Sequence, residues 1–436
     1  MKLMFLTPGT GHFYCGSCLR DNTLAGALTR LGHHVDVVPL YLPMVLEEEE
    51  EEQHDPTRQR VRMGGINMYL QQKSALANVL PRFVADLLDS PGLLRWASRR
   101  GKLTQAKSLG AMTLSMLRGE DGRQSKEVDK LVAAVAAMDR PDVIVISNAL
   151  LAGIVRRLAQ QLDRPVIATL QGEAPFLDAL PEPFFHRAWQ TLRERAADID
   201  MFVPVSHSYG DVMRQRLALD EDRVRVVYNG LDVRDLQGEP PPLSQRRPRT
   251  IGYLARMCRD KGLHTLVDAF LKLAERGNEH LRLRIAGAQL REDRPFVKEL
   301  QGRLRSHGCA DRVEFLPNIT RAAKLEFLES LSVLSVPATY GESFGLYLLE
   351  AMACGVPVVQ PRHAAFPEVL AAPGGGIRCE PDDPGGLALA LQELLQDEPR
   401  AQELAARGRQ SVLERFSAER MAREFEAVCD EVRRTP

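Results

Sequence analysis

Two glutamates in the second half of the chain, Glu342 and Glu350, have a spacing that could bring both to one ligand. Glu342 lies in a segment with two glycines, residues 340–345, before a predicted helix that begins near Phe344 and ends before Gly355. Glu350 follows about two helical turns later in an apolar run, where a carboxylate must be paired or accept hydrogen bonds from hydroxyls. Glycines let the backbone approach a ligand, and a helix start offers N–H groups to an anion. The pattern is equally typical of a strand-to-helix turn with a structural glutamate.

Two cations, Arg256 and Lys261, follow the first predicted strand of the second half, residues 250–254. A guanidinium and an ammonium together can neutralise a pyrophosphate, and the guanidinium can bind it through two hydrogen bonds. Open α/β sheets bind their ligands at the carboxyl ends of the strands. The two residues therefore indicate a phosphate site, and the alternative is a pair of solvated loop cations.

A loop with several glycines, residues 7–17, follows the first predicted strand and leads into a helix. It does not fit the dinucleotide fingerprint, which requires a glycine where Tyr14 stands. It does not fit the P-loop either, because Ser17 follows Gly16 at the place of the required lysine. The loop remains suited to a phosphate or a polar substrate at the start of the helix.

The seven cysteines are odd in number and widely spread, so they do not form a disulfide framework. Cys15 and Cys18 form a C-x-x-C at a predicted helix start, a position that favours reactive thiols and leaves a redox pair open. No second pair has the spacing of a zinc site. We therefore predict ordinary thiols and no metal site.

The charges balance, with 57 Lys+Arg against 58 Asp+Glu and a formal net charge of −1, so nucleic acid is not an expected partner. Hydrophobic residues make up 44% of the chain, which supplies large cores and excludes a mainly disordered protein. The sequence has no apolar stretch of the length of a membrane span, and the first apolar run is too short for a signal peptide. We therefore expect a cytoplasmic protein.

Short β-branched runs alternate with helical patterns, which predicts parallel sheets covered by helices on both faces. A stretch rich in proline and charge, residues 236–249, is interpreted as a linker between two doubly wound α/β domains, residues 1–235 and 250–415. Residues 416–436 are predicted to form a final helix, and its return to the first domain is left open. The predicted strands are residues 2–6, 34–40, 142–147, 165–169, 201–205, 224–227, 250–254, 281–286, 313–316, 333–336 and 356–359.

Residues 44–135 interrupt the alternation in the first domain. They open with an acidic run, residues 47–52, that is typical of a solvated loop, and they continue with helical sequence rich in leucine and alanine. We predict an insertion that packs on the first domain. Basic residues at positions 95–102 lie near apolar residues at 93–96, a mixture that can lie on an anionic membrane surface. Peripheral contact with the inner membrane is therefore left open.

The chain resembles the retaining glycosyltransferases of family 4, which have the GT-B fold of two Rossmann-like domains facing a cleft. In this family a glutamate, seven residues and a second glutamate mark the donor site, which is similar to Glu342 and Glu350 within GESFGLYLLEAMACGVPVV. An arginine and a lysine after the first strand of the second domain are similar to Arg256 and Lys261. The resemblance covers nearly the whole chain outside residues 44–135.

The resemblance implies an enzyme that moves a sugar from a nucleotide-diphosphate sugar to an acceptor hydroxyl with retention of configuration, without a metal or another cofactor. The acceptor would be a saccharide, a lipid or a small molecule. Arg256, Lys261 and Glu342 would act at the reacting sugar and its diphosphate. The other donor contacts that the resemblance implies are Gly16, Ser17, Ser343, Phe344, Gly345 and Glu350.

The sequence departs from the family pattern at two points. Cys15 stands where the family often has the first of two adjacent glycines. Many members have a histidine after the strand predicted at 165–169, whereas this chain has Gln171, followed by Glu173. A glutamine can form hydrogen bonds but cannot titrate. Gln171 and Glu173 are nevertheless the candidates for the acceptor side.

Three alternatives remain. A nucleotide-sugar epimerase or a phosphorylase can have the same architecture. A non-catalytic binder of nucleotide sugars is compatible with Gln171. A dinucleotide-dependent oxidoreductase would use Asp36 after the second strand, and the missing third glycine argues against it.

Overall fold

The chain divides into two compact units. The first unit is Met1–Tyr228 together with Met421–Pro436, and the second unit is Asn229–Arg420. Cys15, the acidic run and the basic residues at 95–102 lie outside the described residues. The computed structural model describes residues 1–8, 16–40, 106–236 and 238–434.

The first unit alternates strands with helices. Its strands form a parallel sheet, and the strand order reverses between the first and third strands, which opens a crevice at their carboxyl ends. The strands are β1 (Lys2–Thr7), β2 (His34–Pro39), β3 (Val143–Ile146), β4 (Val166–Leu170) and β5 (Met201–Pro204), in the order β2-β1-β3-β4-β5. The helices are α1 (Gly16–Arg30), α2 (Ala106–Leu117), α3 (Ser125–Ala136), α4 (Val155–Leu162), α5 (Glu173–Asp178), α6 (Phe184–Arg195) and α7 (His207–Leu217).

The core of the first unit includes part of the predicted insertion. The strands are continuous apolar runs because helices cover both faces of a parallel sheet, and every residue of β3 is buried. Leu117 of α2 and Val128 and Leu131 of α3 belong to the same apolar cluster as Ile144 of β3. From residue 106 onward the predicted insertion therefore contributes to the core of the unit.

The second unit repeats this alternation, and its sheet is also parallel. The strands are β6 (Thr250–Leu254), β7 (Arg282–Gly287), β8 (Val313–Pro317), β9 (Val333–Leu334), β10 (Val358–Pro361) and β11 (Gly376–Cys379), in the order β11-β10-β9-β6-β7-β8. The helices are α8 (Leu263–Glu275), α9 (Arg294–Ser306), α10 (Arg321–Glu329), α11 (Leu346–Ala353), α12 (Phe366–Ala371), α13 (Pro384–Gln396) and α14 (Glu398–Arg415). The order reverses between β6 and β9, which opens the crevice of this unit. The prediction of two doubly wound parallel sheets is confirmed.

Two predicted strands differ from the structure. Residues 224–227 do not form a strand, because Val224 makes only an isolated bridge to Phe202 of β5. The strand predicted at 333–336 shortens to Val333–Leu334. The chain reaches Pro337 soon afterwards, and proline has no N–H with which to continue the ladder.

The segment interpreted as a linker, residues 236–249, packs on the second unit where it is described. Arg246 is buried and donates hydrogen bonds to the carbonyls of Leu331 and Cys354, at 3.0 Å each. The boundary between the units falls after Tyr228. Proline and charge mark a segment without regular structure, but they do not show that one of its arginines is held by distant carbonyls.

The last helix, α15 (Ala418–Arg434), lies mostly in the first unit. The ring of Phe425 on α15 packs against Phe5 of β1, with 5.9 Å between the ring centroids. Arg225 and Glu431 add an ion pair at 2.6 Å. The end of the chain therefore completes the fold of the first unit.

Candidate functional site

The crevice of the second unit lies between the loops that follow β6 and β9. Gly262 in the β6 loop has a φ of 70°, and a Cβ atom there would lie 1.7 Å from the carbonyl oxygen of Pro337. Glycine is therefore required at this close approach. The approach holds Lys261, in the β6 loop, beside Glu342, in the β9 loop.

The partly buried Lys261 and the buried Glu342 form an ion pair, with 2.5 Å between Nζ and Oε2. The same carboxylate oxygen accepts hydrogen bonds from the hydroxyls of Tyr347, at 3.0 Å, and Tyr340, at 3.2 Å. Lys261 also donates to the Tyr340 hydroxyl. Glu342 is only 7% exposed. Three donors from two loops and one helix thus converge on a single oxygen.

Both members of this pair keep their charge despite burial. Burial alone would raise the pKa of Glu342, but the charge of Lys261 and the hydrogen bonds from Lys261 and the two tyrosines lower the pKa below its usual value. Burial would likewise lower the pKa of Lys261, and the charge of Glu342 raises it above its usual value. The crevice therefore contains an ammonium and a carboxylate at neutral pH.

The other carboxylate oxygen of Glu342, Oε1, makes no hydrogen bond to a described residue. The backbone of this loop is fixed, because the carbonyl of Glu342 accepts from the N–H of Ala365 at 3.2 Å. An ionised oxygen without a donor in a fixed loop can accept a hydrogen bond from a ligand hydroxyl.

Ser343, Phe344 and Gly345 connect this loop to α11. The first two are buried, and Gly345 has a left-handed φ of 85°. This φ lies outside the helical range, so α11 begins at Leu346. The sequence predicted a start near Phe344. The N–H of Leu348 donates to the carbonyl of Gly345 at 2.9 Å, whereas Leu346 and Tyr347 start the helix, where backbone N–H groups can bind an anion.

Arg256 lies at the carboxyl end of β6, as predicted, but two carboxylates already bind it. Its Nε and Nη2 donate to the two oxygens of Asp293, at 2.9 Å each, and Nη2 also donates to Glu292 at 2.9 Å. Nη1 makes no hydrogen bond to a described residue. The bidentate pair fixes the guanidinium plane and offsets its charge. The phosphate role of Arg256 stays a prediction.

Glu350 lies on α11, as the spacing predicts, and pairs with Lys324 of α10. Lys324 Nζ donates to Glu350 Oε1 at 2.7 Å, which satisfies the carboxylate in its apolar helix. Glu350 Oε2 makes no hydrogen bond to a described residue. The pair supports the structural interpretation of Glu350 and leaves one oxygen for a ligand.

In the first unit, Gln171 follows β4, and the unit itself binds its side-chain amide. Nε2 donates to the carbonyl of Ser147 at 2.8 Å, to Asp21 Oδ1 at 3.0 Å and to Thr169 Oγ1 at 3.1 Å. Ser147 directly follows β3. Gln171 therefore lies beside the crevice of the first sheet, and its acceptor role stays a prediction.

Asp21 of α1 is the buried carboxyl group of this crevice, at 1% exposure. Oδ1 accepts from the guanidinium of Arg20 at 3.2 Å, whereas Oδ2 is buried without a hydrogen-bond partner among the described residues. Burial raises the pKa of Asp21 to about 6, although Arg20, Gln171 and Ser147 act to lower it.

Glu173 at the start of α5 holds the backbone around it. Its two oxygens accept from the N–H groups of Ala149, Gln171 and Gly172 at 3.0–3.3 Å and from the Tyr209 hydroxyl at 2.9 Å. These donors occupy both oxygens, and the acceptor role predicted for Glu173 gains no support from this geometry.

Gly16 and Ser17 are the first two residues of α1, which follows the loop after β1. Their position at a helix start agrees with the one expected from the sequence. Their predicted contact with a diphosphate stays a prediction.

Sequence reasoning did not select Tyr347, Lys324 or Asp21. Asp21 had a signal, since it stands three residues before the buried Leu24 and so lies on the apolar face of α1. Tyr347 lies on the helix between the two glutamates, where a hydroxyl can reach the preceding loop. Lys324 belongs to another helix, and no sequence pattern connects it to Glu350.

Within the described ranges, no group of three or more histidine, cysteine, aspartate or glutamate side chains is placed to hold a metal ion. None of the helices described is long and apolar enough to cross a bilayer. Cys258, Cys309, Cys354, Cys379 and Cys429 are free cysteines.

Family models match most of the described chain. Residues 239–411 match the model of glycosyl transferases group 1, and residues 116–235 match the model of glycosyltransferase family 4. The N-acetyl-alpha-D-glucosaminyl L-malate synthase of Bacillus anthracis is 28% identical over 313 residues, which are 70% of this chain and 78% of the relative. The phosphatidyl-myo-inositol mannosyltransferase of Mycolicibacterium smegmatis is 35% identical over 187 residues, 42% of this chain and 46% of the relative.

Two solved structures show the fold. The sucrose-phosphate synthase of Thermosynechococcus elongatus superposes with a TM-score of 0.71 and 19% identity, covering 99% of each chain. The Anabaena protein HepE in complex with UDP-glucose superposes with a TM-score of 0.69 and 16% identity, covering 99% of this chain and all of HepE. With its two doubly wound sheets, the chain has the GT-B fold.

Proposed function

We propose that the chain is a glycosyltransferase of the family 4 type, which its matches to the models of glycosyl transferases group 1 and glycosyltransferase family 4 support. It transfers a sugar from a nucleoside-diphosphate sugar to an acceptor hydroxyl, with retention of the anomeric configuration. The observation that carries the proposal is the Lys261–Glu342 pair at the reversal point of the second sheet. Such points are where open α/β sheets bind nucleotides. An ammonium suits a diphosphate, and a carboxylate suits sugar hydroxyls.

The main chemical task is to stabilise the leaving diphosphate. Negative charge grows on it as the sugar–phosphate bond breaks, and fixed donors lower this barrier most when they are already in place. Lys261 supplies an ammonium, Arg256 supplies Nη1, and the start of α11 supplies backbone N–H groups. HepE, a protein with a similar fold, has been solved in complex with UDP and with UDP-glucose, which supports a nucleotide sugar as the donor.

The two glutamates would bind the donor hydroxyls. Glu342 accepts from the sugar through Oε1, and Glu350 accepts from the ribose through Oε2. Backbone groups of residues 343–345 add contacts to the sugar and phosphate. The leaving phosphate oxygen then takes the proton of the acceptor hydroxyl on the same face, which gives retention without a metal or another cofactor.

The acceptor would bind through the first unit, and Gln171 is its candidate contact. The names of the relatives specify malate in one case and phosphatidyl-myo-inositol in another. Both molecules offer hydroxyls beside anionic groups. We therefore propose a small molecule, a saccharide or a lipid headgroup as the acceptor class.

Donor consumption with pooled acceptors tests the function. The purified protein is incubated with UDP-, GDP- and ADP-sugars together with malate, inositol phosphates, phosphatidylinositol and glycogen. We expect nucleoside diphosphate release that depends on one acceptor, a product heavier by one sugar, and the donor's anomeric configuration in that product by NMR. EDTA should leave the rate unchanged.

Each rival function has its own outcome in the same assay. A changed sugar without transfer indicates an epimerase, and transfer to phosphate alone indicates a phosphorylase. A donor that binds but is never consumed indicates a non-catalytic binder. Any of these results contradicts the proposal.

A further inference from the structure

The hydroxyl of Tyr347 has one polar partner among the described residues, Glu342 Oε2 at 3.0 Å. Tyr340 differs, because its hydroxyl contacts both Glu342 and Lys261. Tyr347 is buried in the first turn of α11, so the helix fixes its hydroxyl relative to the loop that carries Glu342. The three donors to this oxygen therefore come from different places: the β6 loop, the β9 loop and α11.

Two of these three hydrogen-bond donors, Lys261 and Tyr340, change their contacts once a nucleotide sugar binds. Lys261 must turn its ammonium toward the diphosphate, and Tyr340 contacts Lys261 and shares in that change. A buried carboxylate that loses its only ammonium either takes up a proton or rotates toward water. Tyr347 is the donor that can stay in place, because its hydroxyl contacts only Glu342 among the described residues. Its ring lies 5.8 Å from Lys261 Nζ, and Tyr347→Phe retains that ring.

We propose that Tyr347 is a positioning residue, which holds Glu342 Oε2 while Lys261 is engaged by the diphosphate and thereby keeps Oε1 aimed at a hydroxyl of the donor sugar. The inference rests on the proposed function and adds to it a residue that determines recognition of the sugar. It separates two parts of donor binding. Lys261 serves the diphosphate, and Tyr347, acting through Glu342, serves the sugar.

The hydrogen bond from Tyr347 to Glu342 is important because Glu342 is buried. A hydrogen bond to a charged group contributes more than one between neutral groups, and a buried acceptor that loses its donor is not compensated by water. The lowered pKa of Glu342 depends in part on the Tyr347 hydroxyl. Without that hydroxyl the carboxyl group should protonate more readily, and a protonated Glu342 binds a sugar hydroxyl less well.

The test compares binding of UDP and UDP-glucose by calorimetry in the full-length protein and in Tyr347→Phe. We expect Tyr347→Phe to leave the Kd of UDP within about twofold and to raise the Kd of UDP-glucose by about tenfold or more. If UDP-glucose is not the preferred conjugate, the same pair of measurements uses the diphosphate and sugar conjugate that bind the unmodified protein best. The loss should grow as the pH falls toward 5, which a purely structural role of Tyr347 would not produce.

Two further variants keep the test decisive. Tyr209→Phe removes a tyrosine hydroxyl that donates to a buried glutamate in the first unit and also accepts from the N–H of Ala174, and it should change neither Kd. Combining Tyr347→Phe with Glu342→Gln should cost no more than Glu342→Gln alone, because the tyrosine acts through the glutamate.

The outcomes that overturn the inference are distinct from those that overturn the function. Equal losses for UDP and UDP-glucose, or no loss for either, contradict the role of Tyr347 while leaving the donor site intact. An unmodified protein that binds no nucleoside diphosphate and no sugar conjugate contradicts the proposed function, and the inference with it.

Discussion

Glu342 in the second unit is 7% exposed, and Asp21 in the first unit is 1% exposed. Both are buried carboxyl groups beside the crevice of a parallel sheet. Each has one cation as a partner, Lys261 and Arg20 respectively. Their pKa values nevertheless move in opposite directions. The pKa of Glu342 is lowered, and that of Asp21 is raised to about 6.

The difference lies in the hydrogen bonds that each carboxylate accepts and in how far they offset the effect of burial on its pKa. Three donors converge on one oxygen of Glu342, two of them tyrosine hydroxyls. Asp21 receives a guanidinium and an amide on one oxygen, and its buried Oδ2 has no partner among the described residues. Burial therefore decides the protonation of Asp21, whereas the surrounding donors decide that of Glu342. The donors around Glu342 therefore keep it ionised to a lower pH than Asp21.

The largest expected effect comes from breaking the buried pair of the first unit. Asp21→Ala leaves the buried guanidinium of Arg20 without this carboxylate and should lower the free energy of unfolding by about 3–5 kcal/mol. Urea unfolding measures the change. The control is Glu393→Ala, which removes the exposed partner of Arg400 and should cost less than about 1 kcal/mol. Equal costs in the two variants would mean that Asp21 and Arg20 do not form a buried pair in solution.

Removing the cation of the second crevice should strongly reduce catalysis. Lys261→Ala should lower kcat by about 10²–10³, as is typical for the loss of one fixed donor to a developing anion. Steady-state kinetics with saturating donor measures the loss. The control is Lys272→Ala, which removes an exposed lysine of α8. A kcat for Lys261→Ala close to that of the control contradicts the diphosphate role.

Glu350 should show a smaller effect, on donor binding alone. Glu350→Gln keeps the size of the side chain, weakens an acceptor for a ribose hydroxyl, and should raise the donor KM by about tenfold with little change in kcat. Glu326→Gln, at an exposed position on α10, is the matched control. An unchanged donor KM in Glu350→Gln would leave Glu350 as a structural partner of Lys324.

The smallest effect concerns pH. Because the folded pKa of Asp21 is raised from 3.8 to about 6, the folded protein binds a proton that the unfolded chain does not bind between these values. Stability from this group therefore increases as the pH falls from 7 to 5, by about 1 kcal/mol. Asp21→Asn should lose this increment in urea unfolding at the two pH values. Glu342 has a lowered pKa, so its contribution is lost only below the usual range of glutamate and should not alter the comparison.

The sequence predicts the fold well because periodicity reports burial. The runs that became β3 and β4 are apolar and rich in β-branched residues for the same reason that they lie in a sheet covered on both faces. The sequence does not predict that Arg246, within the segment 236–249 interpreted as a linker, is bound by the second unit. Its hydrogen bonds join residues that are far apart in the chain.

The site is only partly predictable from the sequence, because many of its contacts join residues that are far apart in the chain. The spacing predicts that Glu350 lies on a helix after the Glu342 loop, since both lie in one local segment. It does not predict that Lys261, Tyr340 and Tyr347 share one oxygen of Glu342, because that arrangement depends on how two loops and a helix pack. Glu292 and Asp293, which bind Arg256, lie in the segment after β7 and offset its charge, and the sequence does not predict this pairing.

The most direct test of the central claim is a thermal-shift panel with UDP, GDP, ADP, NAD and their common sugar conjugates, run on the unmodified protein and on Lys261→Ala. A ligand at about 100 times its Kd stabilises the folded state by about 2.7 kcal/mol, which a melting curve resolves. We expect one nucleoside diphosphate and its sugar conjugates to raise the melting temperature, NAD to leave it unchanged, and Lys261→Ala to lose the shift. A flat panel on folded protein, or a shift that Lys261→Ala retains in full, contradicts the donor site.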